Sequence, residues 1–273
     1  MDPDVNSLMS FLKVLFDEQL SYSSINAARS AVSSFSLHKR VPLGSHPLIS
    51  RFLKGVFNLR PALPKSSVTW DTAIVLNFLK NWHPARNLDL LQLSVKVVLL
   101  CLLVTGQRGQ TVWKMDLRNM AWPNKHDKEK VVTCSFGDPL KTTNKKNHQK
   151  QLTFEAYPHD KALCVVHYLQ QYVKRTENLR GEESSLFITS RPPHRGVARS
   201  TIAQWTKKGL AMSGIDTAIF TPHSTRAAST SKAVGRVCLE TILKTAGWRR
   251  SSTFGKFYHK EITSSGLKIK DLL

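Results

Sequence analysis

Acidic residues are scarce in this chain. Nineteen Asp and Glu stand against 40 Lys and Arg in 273 residues, a formal net charge of +21. Such an excess draws polyanions, and nucleic acid is the commonest polyanion a soluble protein meets. Cysteine is equally sparse and badly placed for chemistry. Cys101, Cys134, Cys164 and Cys238 lie far apart with no C-x-x-C pair, which argues against a zinc module and, at this size, a disulfide scaffold. Long apolar runs are missing. The longest, Val97 to Val104, is far too short to span a bilayer, and no secretory signal opens the chain. No period of 20 to 50 residues repeats, so solenoids and propellers are excluded. An intracellular, reduced chain without a membrane segment is the expectation.

What is present suffices for a folded protein. A hydrophobic share of 41% is that of ordinary globular domains, and the length allows one large domain or two modest ones. Residues 1–62 read as a small basic helical domain. Leu8, Phe11, Leu12, Leu15 and Phe16 form one helical stripe; Ile25, Ala28, Val32 and Phe35 form a second, in a helix starting after Ser23 or Ser24; Ile49, Phe52, Leu53, Val56 and Phe57 form a third. Arg51 and Lys54 lie on the outer face of that third helix. Residues 63–68, with Pro64 and two serines, read as a linker, and residues 69–273 as a larger domain with a C-terminal tail.

The larger domain opens with a helix capped at Thr69 or Asp71. Next comes a helix over Asp89 to Val104, apolar on most faces and therefore central. Gly106 and Gly109 end it and bracket Arg108. Three strands follow, in 115–122, 130–136 and 149–157. Between the last two lies a polar turn with Lys141, Lys145, Lys146 and Lys150, which is either a solvated hairpin tip or a flexible arm reaching into DNA. Helices return over 159–176 and after Ser200, the expected cap of a helix that turns Ile202 and Trp205 inward. The fold class is mainly α with a small antiparallel sheet.

The candidate chemistry is concentrated in residues 221–260. His223 and Arg226, three apart, share one side of a helix start capped by Ser224 or Thr225. A helix N-terminus with a cation and an imidazole suits an anion. Leu239, Ile242, Leu243 and Ala246 make an apolar face that ends at Gly247, in the place of a helix C-terminal glycine. Trp248, Arg249 and Arg250 follow, and Tyr258 lies one to two turns into a last helix capped by Ser251 or Ser252. Each residue alone has an ordinary structural reading: Trp248 as core, Arg108 as a helix-end arginine, H-x-x-R as chance.

As a set in this order, TGQRGQT at 105–111, PHSTRAAS at 222–229, AGW at 246–248 and a tyrosine ten residues after the tryptophan resemble the motifs of tyrosine recombinases, the phage-integrase family. The wording is most similar to the recombinases of DIRS-type retrotransposons. The resemblance covers nearly the whole chain. It implies a helical core-binding domain, with its first helices missing here, and a mixed catalytic domain. It further implies that Arg108, His223, Arg226, Trp248 and Tyr258 match the family's site, with Tyr258 as nucleophile. Lys141 in its LKTT context matches the hairpin lysine, with Lys145 as alternative. Thr111 departs from the acidic residue that many bacterial members carry three positions after the first arginine. Arg51, Lys54, Lys145, Lys146, Arg249 and Arg250 are the expected DNA contacts.

The implied activity is site-specific cutting and rejoining of double-stranded DNA through a 3′-phosphotyrosyl link, with no cofactor or metal, by a homotetramer on paired sites, in the nucleus if the source is eukaryotic. The arginines would clamp the non-bridging oxygens, His223 would take the phenol proton and the lysine would protonate the leaving oxygen. Competing readings are a topoisomerase-like nicking and sealing enzyme and a catalytically silent DNA-binding descendant of a mobile element.

Overall fold

The computed structural model describes residues 4–38, 40–61, 66–124, 126–127, 130–137, 151–248 and 250–263. Lys141, Lys145, Lys146, Arg249, residues 63–65 of the expected linker and the tail after Thr263 lie outside them. The chain divides into two compact units, Met1–Lys65 and Ser66–Leu273.

In the first unit, α1 (Val5–Asp17), α2 (Tyr22–Ser33) and α3 (Pro47–Leu59) pack around Leu8, Leu12, Ile25, Leu43, Ile49, Leu53 and Val56. Asp4 caps α1 by accepting from Ser7 N at 2.7 Å. The cap of α2 is Ser21, not Ser23 or Ser24, because its hydroxyl is the one that reaches Ser24 N. The unit is not purely helical: β1 (Leu37–His38) and β2 (Val41–Pro42) form a minimal antiparallel hairpin. That hairpin takes the chain out of helix before Phe35 can face the core, so Phe35 is 87% exposed. Phe11 and Phe57 are also exposed. Each lies at the edge of its helical stripe, which is wider than the face that three short helices can bury.

The second unit begins with β3 (Val68–Trp70), an element with no signal in the sequence pattern, then α4 (Thr72–Lys80). Asp71 caps α4 and Thr69 does not, being in the strand. α5 (Leu90–Thr105) carries a full capping box at Asp89 and Gln92 and ends on Gly106, whose φ of 59° is the left-handed conformation glycine tolerates. It packs on α6 (Gly109–Trp113) and is the hub of the domain. β4 (Met120–Ala121), β5 (Val131–Ser135) and β6 (Gln151–Glu155) make an antiparallel sheet in the order β4-β5-β6. Only two residues of the expected 115–122 strand join this sheet, since Leu117–Asn119 closes a 3-10 turn; Asp116 bridges to Ser185 instead.

α7 (Val165–Thr176) and α8 (Arg199–Met212) flank α5. Ala198, not Ser200, occupies the cap position of α8, and no side chain serves it. α9 (Ser224–Ala233) also packs on α5, and α10 (Leu239–Ala246) follows it, stopping at Gly247 with φ 70°. Leu239 is exposed while Ile242 and Ala246 are buried. α11 (Ser251–Phe257) ends at Tyr258, and β7 (Glu261–Thr263) returns to pair in parallel with β3. No described helix is long and apolar enough to cross a membrane.

Candidate active site

Four helix-end devices converge here. Gly106 turns the chain out of α5, which leaves Arg108 at the N-cap of α6. His223, and neither Ser224 nor Thr225, is the N-cap of α9, and Arg226 lies in that helix's first turn. Gly247 ends α10 and delivers Trp248 into the interior, 7% exposed. Tyr258 arrives as the residue that ends α11.

Arg108, His223 and Tyr258 line one cleft of about 460 Å³, together with Gln107 and Arg199. A larger cleft, about 730 Å³, is lined by Lys130, Glu155, Tyr157 and Lys161; none of the candidate residues borders it, so size does not mark the site. His223 Nε2 lies 3.1 Å from Tyr258 Oη, inside hydrogen-bond range. Ser231 Oγ fixes the backbone of the tyrosine by donating to its carbonyl at 2.8 Å and accepting from Lys260 N at 3.0 Å.

Arg226 is 0% exposed. Its Nη1 donates to Gly106 O at 2.7 Å, so the turn that presents Arg108 also anchors Arg226. The guanidinium lies 3.9 Å from the centroid of the Trp248 ring and 5.3 Å from that of Tyr258. Among the described residues, Nε and Nη2 of Arg226 and Nε1 of Trp248 are buried with no hydrogen-bond partner. No carboxylate pairs with this arginine there. Burial first, and then the nearby Arg108 charge, push its pKa down to about 9, against a smaller upward pull from the adjacent Tyr258 phenol. Three unspent donors around a buried cation make a socket for an anion.

Thr111, where an acid was the family expectation, donates its hydroxyl to Gln107 Oε1 at 3.2 Å; Gln107 Nε2 in turn donates to Thr245 O at 2.6 Å. An uncharged relay therefore ties the Arg108 turn to the end of α10, from which Trp248 departs. Sequence reasoning missed Gln107, Ser231 and Trp70. Their types carry no chemical signal, although Gln107 stands inside the TGQRGQT motif.

Of the expected DNA contacts, Arg51 and Lys54 are exposed on α3 in the first unit and Arg250 is exposed before α11. No group of three or more His, Cys, Asp or Glu that could hold a metal occurs among the described residues.

No protein-family model and no curated protein sequence matches the chain. Solved structures do. A lambda integrase dimer bound to a COC′ core site aligns with a TM-score of 0.50 and 15% identity over 95% of this chain; the chain spans 65% of that protein's length. XerH site-specific recombinase bound to palindromic difH substrate gives 0.59 and 11% over 92% of this chain and 67% of its own. The Tn1549 transposon integrase with transposon right end DNA gives 0.58 and 14% over 93% and 80%. The fold of this chain is therefore the tyrosine-recombinase fold, in the mainly helical form with small sheets that the motifs implied. At identities this low, likeness speaks for the fold, and the activity rests on the site.

Proposed function

We propose that this protein cleaves and rejoins DNA strands in a site-specific manner through a covalent 3′-phosphotyrosyl intermediate. We place it in mobile-element integration, acting as a homotetramer on paired sites, in the nucleus if the host is eukaryotic and in the cytoplasm otherwise. The observation that carries the reading is the Arg226 socket, a fully buried cation with free donors beside a His–Tyr pair. Tyr258 Oη attacks the phosphorus, forming the O–P bond, while its proton passes to His223 Nε2. Arg108, Arg226 and the Trp248 indole stabilise the charge that gathers on the non-bridging oxygens. The bond to the 5′ oxygen breaks, and that oxygen takes a proton from the hairpin lysine, assigned to Lys141. The ester keeps the bond energy, so the reverse step rejoins strands without ATP. Arg226 is covered in the free protein, so a phosphate reaches it only when the residues over it move.

The test uses nicked suicide DNA of random sequence. The expected result is a denaturant-resistant protein–DNA adduct that Tyr258→Phe abolishes. An adduct that persists in Tyr258→Phe refutes the proposal. Salt-dependent DNA binding with no adduct would identify a silent descendant, and an adduct without recombinant junctions would identify a nicking and sealing enzyme.

A further inference from the structure

β3 holds the near neighbours in sequence of both partners of the His223–Tyr258 pair. Its Trp70, 1% exposed, donates Nε1–H to Ser224 Oγ at 2.8 Å, and Ser224 directly follows His223. The same strand pairs in parallel with β7, which starts three residues after Tyr258: Val68 opposite Glu261, Thr69 opposite Ile262 and Trp70 opposite Thr263. Side chains strengthen that pairing. Thr263 Oγ1 donates to Thr69 O at 3.1 Å, and Lys260 Nζ donates to Ser66 O at 2.7 Å. Lys232, at the far end of α9, bonds Asp71 at 3.0 Å just beyond the strand.

A three-residue parallel pair contributes little stability on its own. A strand this short that nevertheless collects an indole, a threonine, a lysine and an ion pair has another use. The helix that carries His223 and the segment that carries Tyr258 come from different parts of the fold, 35 residues apart in sequence. One tie between them is direct, since Ser231 of α9 bonds the Tyr258 carbonyl and Lys260 N; β3 adds a second, at the His223 end of that helix.

We infer that Trp70 is a positioning residue: through Ser224 it fixes the start of α9, and through the β3–β7 pairing its strand fixes the chain just past the phenol, so that β3, together with Ser231, sets the His223 Nε2 to Tyr258 Oη separation. The inference rests on the strand-cleavage reading for its kinetic consequence, but its geometric content does not. An error of about 1 Å in a proton-transfer geometry costs up to roughly a hundredfold in rate.

The test compares Trp70→Phe, which keeps a buried ring but loses the N–H, with Ser224→Ala, which loses the acceptor and leaves the core intact. Each should slow adduct formation on suicide DNA by about tenfold or more, with DNA affinity within about twofold of wild type. The double variant should be no slower than Trp70→Phe alone, because both remove one bond. Ser224→Thr, which keeps a hydroxyl, should restore most of the rate. Single-variant effects that multiply in the double variant, or a wild-type rate in Ser224→Ala, overturn the inference; if Trp70→Phe fails to fold, Ser224→Ala and Ser224→Thr decide it.

A second measurement needs no reaction. The ring ¹⁵N resonances of His223 in DNA-free protein should move on Tyr258→Phe, and Ser224→Ala should reproduce most of that movement. If the wild-type protein forms no adduct, the strand-cleavage reading falls while this spectrum still judges β3. Spectra of Ser224→Ala identical to wild type at His223 reject the positioning role whatever the enzyme does.

Discussion

Among the described residues, two cations are wholly buried in the second unit, and they are treated in opposite ways. Lys96, 0% exposed in the middle of α5, donates to Leu79 O at 2.7 Å and Trp82 O at 2.6 Å and lies 3.8 Å from the centroid of the Tyr168 ring. Those carbonyls are at and just past the C-terminus of α4, where unpaired carbonyls and the helix dipole favour positive charge. Arg226 also reaches a helix end, at Gly106 O, yet keeps two nitrogens without partners. One fold thus contains a buried cation whose needs are met internally and another whose needs are not. The first is architecture. The second is poised for something that arrives, and the Trp248 indole N–H beside it points to the same kind of visitor.

The strongest way to break this comparison is to remove each cation and measure both stability and reaction. Arg226→Met should slow adduct formation by about a hundredfold to a thousandfold, the usual cost of losing one such donor. It should leave the second unit as stable as wild type or more stable by about 1–4 kcal/mol, because an unpaired buried charge disappears. Lys96→Ala should do the reverse. It leaves a cavity and strips donors from two carbonyls, for a loss of about 2–5 kcal/mol in urea unfolding, while the adduct rate of folded protein stays within about twofold. If Arg226→Met costs as much stability as Lys96→Ala, the two cations are alike and the socket argument fails.

A finer probe separates the ring of Trp248 from its N–H. Trp248→Phe keeps an aromatic face under the guanidinium but deletes the free donor, and should slow adduct formation roughly tenfold to a hundredfold. Trp248→His retains a donor and should recover most of that rate. A Trp248→Phe protein as fast as wild type would reduce this residue to packing, the reading its burial alone suggests.

How these features could be read in the sequence follows from the signals each one leaves. Gly106 and Gly247 were legible because a left-handed turn at a helix end asks for glycine. α5 was legible from its apolar run, and Arg108, His223, Arg226 and Tyr258 from the order of their motifs. Lys96 was invisible: a lone lysine inside an apolar helix has no pattern, and its two acceptors come from a loop and a helix end that only the fold supplies. β3 and β7 were invisible for a related reason. Three residues show no alternation, and Thr69 and its bonding partner Thr263 are 194 residues apart. The serine caps went astray at Ser23, Ser24 and Ser200 because cap preference names a residue type, while the φ,ψ of the chain decides which neighbour is used.

The smallest expected effect sharpens the architectural half of the comparison. Burial pushes the Lys96 pKa down to about 7, against an ordinary lysine value near 10.4 in the unfolded chain. Below pH 7 both states hold the proton, and the folded state bears the whole cost of the buried charge. Between pH 7 and about 10.4 the unfolded chain holds more protons than the folded one, so linkage makes stability rise with pH across that window. A neutral amine still donates to both carbonyls, so the contacts at Leu79 and Trp82 survive deprotonation. Thermal unfolding followed from pH 7 to 10 should therefore show a climbing midpoint in wild type and a flatter one in Lys96→Met. Part of the climb in both proteins comes from the falling net charge, which is why the difference between the two curves is the quantity that decides. Parallel curves would mean that the two carbonyls and the Tyr168 ring hold Lys96 charged throughout, and the contrast with Arg226 would then rest on hydrogen bonding alone.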